Sequence, residues 1–301
     1  MDMTTRRCMS PQEIDLLIAL ASATSFTEAA ELLNLTQSAV SRAVAKVEVL
    51  LNTELVVRGK FGCRATRQLT LLQPKLRRAR HALEALCPRD GALDEGVHGR
   101  IRVAGFRSAV CILLPETIAT FMARYRHVRV SLSTVREVGG GVQQAVLDGN
   151  ADFGLTTVRP QRQLRSIHLG ADRYVVVRRR GTRQRPIPAR ECLILWDERC
   201  SECVPEILKA NKWSPLETMS VDSDLGVLAM IEHGAGFAIL PKLATEPLPV
   251  RLECIPLPVE TRRDIWLCGR SDRWDTPTGK AFRRYIVRGV TARLSADKLE
   301  Q

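Results

Sequence analysis

The 301-residue chain has no run of about 18 uninterrupted apolar residues, so no membrane span is expected. Its first residues, Met1 to Cys8, lack the apolar stretch of a secretory signal, and the expected location is the cytoplasm. It has no P-loop, no G-x-G-x-x-G, no G-x-S-x-G and no H-E-x-x-H. Phosphate-cradling, dinucleotide, serine-hydrolase and zinc-protease chemistry therefore have no motif to stand on, and no cofactor and no catalytic residues are expected. Low-complexity tracts are missing too. The composition is globular, with 45% hydrophobic and 26% charged residues, and the length suits two or three domains.

What the chain does have is positive charge. A formal net charge of +12 favours a polyanionic partner, although a solvated basic face gives the same number. The excess is spread along the chain. Residues 1–90 hold 13 Lys or Arg against 9 Asp or Glu, and a denser cluster lies at Arg173, Arg178, Arg179, Arg180, Arg183, Arg185 and Arg190. Nine cysteines are scattered through the sequence, and in a reducing compartment they are expected to be free thiols.

Patterning says more than charge. Ile14, Leu17, Ile18 and Ala21 recur at helical spacing over Pro11 to Ala21. Ser25-Phe26-Thr27-Glu28 has the form of a capping box, in which Glu28 reaches back to the Ser25 amide, and it opens a short helix to Leu33. Asn34-Leu35-Thr36 then makes a turn with Leu35 as a buried plug. Thr36 caps the next helix, Gln37 to Leu51, whose Val40, Val44 and Val47 face inward. Gln37, Ser38, Ser41, Arg42 and Lys46 are left on the outer face. Two short-turned helices with such a face form a helix-turn-helix, and the second fits a major groove. Gln and Ser can address base edges or phosphates, and Arg42 can pair with guanine or grip a phosphate. An ordinary amphipathic helix pair shows the same periodicity. Two extended runs around Arg58-Gly59-Lys60-Phe61-Gly62 then suggest a hairpin wing, with Arg58, Lys60 and Arg64 along the DNA backbone. Thr66 to Leu86 is a further helix whose narrow stripe of Leu69, Leu72, Leu76, Ala79 and Leu83 suits a partner helix, hence dimerisation. A flexible connection, Asp90 to Gly99, follows.

The runs Ser25-Phe26-Thr27-Glu28-Ala29-Ala30-Glu31-Leu32-Leu33 and Thr36-Gln37-Ser38-Ala39-Val40-Ser41-Arg42 closely resemble the helix-turn-helix of LysR-type transcriptional regulators. Lys46-Val47-Glu48, Leu51 and Leu55-Val56-Val57-Arg58 continue the resemblance in register over about 55 residues. It departs at Thr66-Arg67-Gln68-Leu69, where that family shows Thr-x-Ala-Gly.

Beyond residue 98, strands and helices alternate. Strands are expected at Arg100–Phe106, Val128–Val135, Ala151–Leu155, Asp172–Val177, Glu191–Leu195, Gly236–Pro241 and Asp264–Cys268. Helices are expected at Ser108–Arg124, Gly139–Leu147, Glu206–Lys212, Leu225–His233 and Thr276–Val290. Such alternation argues for a mostly parallel sheet with a ligand at the carboxyl ends of its strands, near Phe106-Arg107-Ser108-Ala109. Gly149–Leu155, Val221-Asp222-Ser223 and Gly234–Pro241 are similar to landmarks of the LysR-type effector domain, which is built like a periplasmic binding protein. The overall expectation is an α/β protein. A winged helix-turn-helix covers 1–66, a linker helix 67–90 and an effector-binding domain 98–296. The domain's lobe I spans about 98–160 and 269–296, and its lobe II about 161–268.

The resemblance implies lobes that cross near Thr156-Thr157 and Cys268, with an effector between them. It places Arg107, Ser108, Arg136, Trp196, Asp197, Asp222 and Ser223 near that cleft, where arginines would favour an anion; surface arginines without a ligand fit equally. It also implies double-stranded DNA, a small-molecule effector and further copies of the chain, as a homodimer or homotetramer, as partners. Linker helices would pair the dimer, and effector binding would change the bend of the bound DNA.

Cys200-Ser201-Glu202-Cys203 has C-x-x-C spacing. No second ligand pair accompanies it, so no metal is expected. Leu193 to Cys200 also resembles the segment that holds the sensing cysteine of peroxide-responsive LysR-type regulators, whose resolving cysteine lies farther along than Cys203. Cys200 and Cys203 are candidates for redox sensing, and incidental thiols fit the pair as well. Two readings from other classes are a thiol oxidoreductase, argued against by the motif's position deep in the chain, and a solute-binding protein, argued against by the helix-turn-helix.

Overall fold

A computed structural model describes residues 8–59, 62–86, 96–137, 141–181, 191–196 and 202–296. The chain divides into two compact units, one on residues 1–92 with 147–150 and the other on residues 93–146 and 151–301.

The first unit opens with α1 (Pro11–Leu20), α2 (Phe26–Leu33) and α3 (Gln37–Leu51). A complete capping box starts α1, where Ser10 Oγ takes the Glu13 amide at 3.3 Å and Glu13 takes the Ser10 amide at 2.8 Å. At α2 only half of the expected box forms. Ser25 Oγ accepts the Glu28 amide at 3.1 Å, but Glu28 turns to the Thr24 amide and hydroxyl, at 2.7 and 2.8 Å. Those two bonds, the amide first, hold the Glu28 carboxyl below its ordinary range.

Leu35 is no plug. Asn34 ends α2 in the left-handed conformation (φ 55°), and the next residue is carried outward, half exposed.

Strands β1 (Val56–Gly59) and β2 (Gly62–Ala65) pair antiparallel with Val56 opposite Ala65, as a wing requires. Gly62 holds φ +135°, and a Cβ there would lie 2.4 Å from the Thr24 carbonyl. Only glycine lets the wing come this close to the turn before α2.

Helix α4 (Arg67–Leu86) needs no glycine at its entrance, because Thr66 Oγ1 accepts the Leu69 amide at 3.3 Å. Leu69 and Leu76 are buried in the unit's own core beside Leu17, Val40, Val44, Val47 and Leu55. The stripe expected to seek a second chain is thus engaged, over these two residues, within its own.

The second unit contains β3 (Gly99–Gly105), α5 (Leu114–Arg124), β4 (Val128–Thr134), α6 (Gly141–Leu147), β5 (Phe153–Thr156), β6 (Arg165–Arg179) and β7 (Cys192–Trp196). It continues with α7 (Val204–Asn211), β8 (Glu217–Val221), α8 (Asp224–Glu232), β9 (Ala238–Pro241), β10 (Leu252–Pro256) and β11 (Arg262–Gly269), and closes with α9 (Ser271–Trp274) and α10 (Pro277–Ala296). The helix expected from Ser108 begins instead as a π turn, Ala109–Leu113. Pro115 has no N–H to give the Cys111 carbonyl, so the α-helical ladder cannot run through this stretch.

The sheet is mixed rather than mostly parallel, in the order β10-β6-β11-β5-β3-β4, with β9 also on β6. β3 lies parallel between β4 and β5, whereas β11 runs antiparallel to both β5 and β6. β7 and β8 form a separate parallel pair.

The lobe crossings lie elsewhere than expected. Thr156 and Cys268 are paired well inside the first lobe, Thr156 opposite Trp266 and Cys268 opposite Gly154. The passage runs along β6, whose residues 165–173 pair with β11 while 174–179 pair with β9 and β10. The return lies between β10 and β11. Residues 165–171, where Ser166-Ile167-His168-Leu169 alternates polar and apolar, belong to this strand although the sequence reading began it only at Asp172.

Each lobe keeps its own core. The first is filled by Phe121, Phe153, Leu155 and the α10 stripe Phe282, Ile286, Val290 and Leu294. The second lies on two faces of β6, with Val175 and Val177 on one side and Tyr174 and Val176 on the other.

Candidate functional site: nucleic-acid interface and inter-lobe contacts

On α3, Val40, Val44 and Val47 are fully buried, which turns the opposite side to solvent. Thr36, Gln37, Ser38, Arg42 and Lys46 are exposed, and Ser41 is half-buried. Thr36 Oγ1 caps the helix by accepting the Ala39 amide at 3.2 Å. Among the described residues Arg42 donates only to the Ser38 carbonyl of its own helix, at 3.4 Å, which leaves most of its guanidinium to an incoming acceptor. Lys46 leans toward Glu13 at 3.8 Å. On the wing, Arg64 is exposed and the Arg58 guanidinium lies 5.2 Å from the Phe26 ring centre. Lys60 falls outside the described residues. Helix α3 and the wing thus carry exposed donors in one unit, whose first core they share.

The residues expected at the effector cleft are divided. Arg107, between β3 and the π turn, forms an ion pair with Asp224 and donates to the Ala244 carbonyl at 3.2 Å. Ser108 is buried, and its Oγ accepts from Arg263 at 3.2 Å. Arg263 is itself paired with Asp172 at 2.8 Å and lies 4.9 Å from the Phe106 ring centre. Asp172 also takes the Leu243 amide at 3.2 Å. The Phe106–Ser108 loop is therefore tied to the turn Lys242–Thr245 and to the start of α8 by charge-assisted bonds.

Ser223 caps α8 by accepting the Gly226 amide at 3.4 Å, and Asp222 is exposed beside it. Arg136 is exposed after β4. Trp196 packs into the second lobe's core, and its buried indole N–H has no hydrogen-bond partner among the described residues. Asp197 lies outside the described residues. Asp224, Asp172, Arg263 and the Ala244 carbonyl escaped the sequence reading. Only Asp224 left a signal there, as the acidic residue following a Ser cap.

Of the C-x-x-C pair, Cys200 is outside the described residues. Burial pushes the Cys203 thiol up, against the opposing hydrogen bond of Tyr174. A thiol raised in this way is not poised as a thiolate. Among the described residues no group of three His, Cys, Asp or Glu side chains could hold a metal, and no helix is long and apolar enough to cross a membrane.

Residues 11–70 match the family model for the bacterial regulatory helix-turn-helix protein, lysR family, and residues 94–291 match that for the LysR substrate binding domain. The chain belongs to the LysR family of transcriptional regulators, which are not enzymes. It is 30% identical to the probable HTH-type transcriptional regulator LrrA of Synechococcus elongatus, over 91% of this chain and 95% of that one. Its fold is similar to that of full-length CbnR in complex with its target DNA, with TM-score 0.68, 18% identity and coverage of 93% and 100% of the two chains. It is also similar to LysG of Corynebacterium glutamicum with bound effector Arg, with TM-score 0.60, 16% identity and coverage of 94% and 99%.

Proposed function

We propose that this LysR-type regulator grips double-stranded DNA with the outer face of α3 and with the wing, and that it works as a homo-oligomer. The observation that carries the reading is the segregation on α3. The fully buried valines fix its rotation, and Gln37, Ser38 and Arg42 are left outward at the amino-terminal end that enters a major groove. Arg58 and Arg64 supply phosphate contacts, which position the protein without reading sequence. CbnR, a protein of the same fold, is seen with its target DNA.

The second unit senses a small molecule at the junction of its lobes, around Arg107, Ser108 and the start of α8. Two lobes linked by continuous strands can change their angle, and a ligand shifts that equilibrium only through its different affinity for the two arrangements. Thiol sensing gains no support from Cys203, whose thiol is raised.

A DNase footprint on DNA upstream of the gene tests the DNA reading. Protection over several helical turns is expected, lost in Arg42→Ala while oligomer size stays unchanged. An Arg42→Ala footprint identical to wild type would refute this placement of the recognition helix.

A further inference from the structure

We propose that the second lobe carries a binding cradle for a guanidinium or ammonium group, formed by the Asp224 carboxylate and the Ala244 carbonyl oxygen, and that Arg107 of the first lobe is its internal occupant. The inference rests on the effector reading above and gives its ligand a chemical class. Arginines at the junction point, by charge alone, to an anion; their contacts point the other way.

Both acceptors belong to the second lobe, and the cation that fills them reaches over from the first. The pair is lopsided. The Asp224 side chain is 3% exposed and that of Arg107 is 22% exposed. Asp224 opens α8, where the helix dipole favours a negative charge, and its Oδ1 accepts the Leu225 amide at 2.9 Å. Moving Arg107 away returns a guanidinium to water but leaves a buried carboxylate that must be paired again. A ligand that enters here therefore takes the place of Arg107 and presents a cation to Asp224.

An anion finds little in the same loop. The Ser108 oxygen accepts from Arg263, and the charge of Arg263, the nearest cation there, is matched by Asp172. The helix that follows Ser108 starts with a π turn and without a side-chain cap.

A second observation narrows the class. Trp196 ends β7 directly opposite Val221 of β8, just ahead of Asp224, and its buried N–H lacks an acceptor among the described residues. A small molecule that bears both a cationic head and an acceptor, as a basic amino acid does, satisfies both groups. Arg107 then acts as a built-in competitor that is released when the ligand binds.

Calorimetric titration of the full chain tests this with three probes: methylguanidinium, L-arginine and glutarate. Arg107→Ala vacates the cradle and is expected to bind methylguanidinium about tenfold more tightly than wild type. Asp224→Asn, added to it, should erase that gain. Wild type should bind L-arginine more tightly than methylguanidinium, and Trp196→Phe should remove that preference. Arg107→Gln replaces Arg107→Ala if the alanine variant does not fold.

Absence of the methylguanidinium gain, or its survival in the Asp224→Asn double variant, overturns the cradle. Saturable glutarate binding without L-arginine binding also overturns it, but leaves the effector reading standing with an anion in place of a cation. Binding of none of the probes by any variant overturns the proposal, while the footprint still decides the DNA reading separately.

Discussion

The two units handle positive charge in opposite ways. On α3 and the wing, Arg42, Arg58 and Arg64 have no carboxylate within ion-pair distance among the described residues, and their charge faces solvent. In the second unit, several arginines are paired with carboxylates within the fold: Arg102 and Arg273 share Asp152, while Arg107 pairs with Asp224, Arg263 with Asp172 and Arg270 with Asp272. The net charge of +12 is therefore a poor guide to where a polyanion binds. An unpaired arginine on an exposed helix attracts phosphate, whereas a buried arginine beside a carboxylate holds two chain segments together and adds no net charge to its surroundings.

The contrast can be broken or sharpened by experiment, and the largest effects are expected in the second unit. Phe282 is fully buried against Phe121 and Phe153. Phe282→Ala should cost about 3–5 kcal/mol, read as a lowered denaturant midpoint for this unit with the helical signal of the first retained. Removing a buried ion-pair partner should cost as much. Asp152→Ala removes the carboxylate that Arg102 and Arg273 share and is expected to cost about 3 kcal/mol in the same measurement.

Asp152 also sets a pH dependence. Burial would raise its carboxyl, but the hydrogen bonds and charge of Arg102, with the charge of Arg273, outweigh burial and hold it below the usual carboxylate range. A group depressed on folding stabilises the fold above its unfolded value of about pH 4, and that stability is lost as pH falls through the folded value. Asp272 shifts the same way, for burial is outweighed by the bonds and charge of Arg270. Stability of the second unit should fall in acid below about pH 4, and Asp152→Asn should flatten the slope in a pH series of unfolding curves.

Smaller effects belong to the first unit. Arg42→Ala should weaken DNA binding by about 1–3 kcal/mol and reduce the salt dependence of the affinity, as measured by titration of labelled operator. The fold should be indifferent to it, since Arg42 bonds only to its own helix. Smallest of all, Ser25→Ala removes one cap bond and should cost about 1 kcal/mol in thermal unfolding. If Arg42→Ala instead destabilised the protein as much as Asp152→Ala, the contrast between the two units would fail.

How far the sequence could be read differs between the units for a physical reason. In the first, contacts are local. Helices α1 to α3, the caps at Ser25 and Thr36 and the hairpin in its register follow from periodicity and turn chemistry within a few residues. The errors there, Leu35 and the partner of Glu28, are choices between adjacent groups. In the second, the pairing that defines the lobes joins distant stretches: β6 to β11 across about 90 residues, and Arg107 to Asp224 across 117. No local pattern tells which distant strand β6 joins or marks the Ala244 carbonyl as an acceptor.

From the sequence alone came the family, the helix-turn-helix with its outward residues and the alternation of strands and helices, because each depends on spacing along the chain. Only the tertiary structure decided that the sheet is mixed, that the lobes cross along β6, and that Arg107 is matched by Asp224. Those outcomes depend on which residues far apart in sequence come within hydrogen-bond distance, and folding alone settles that.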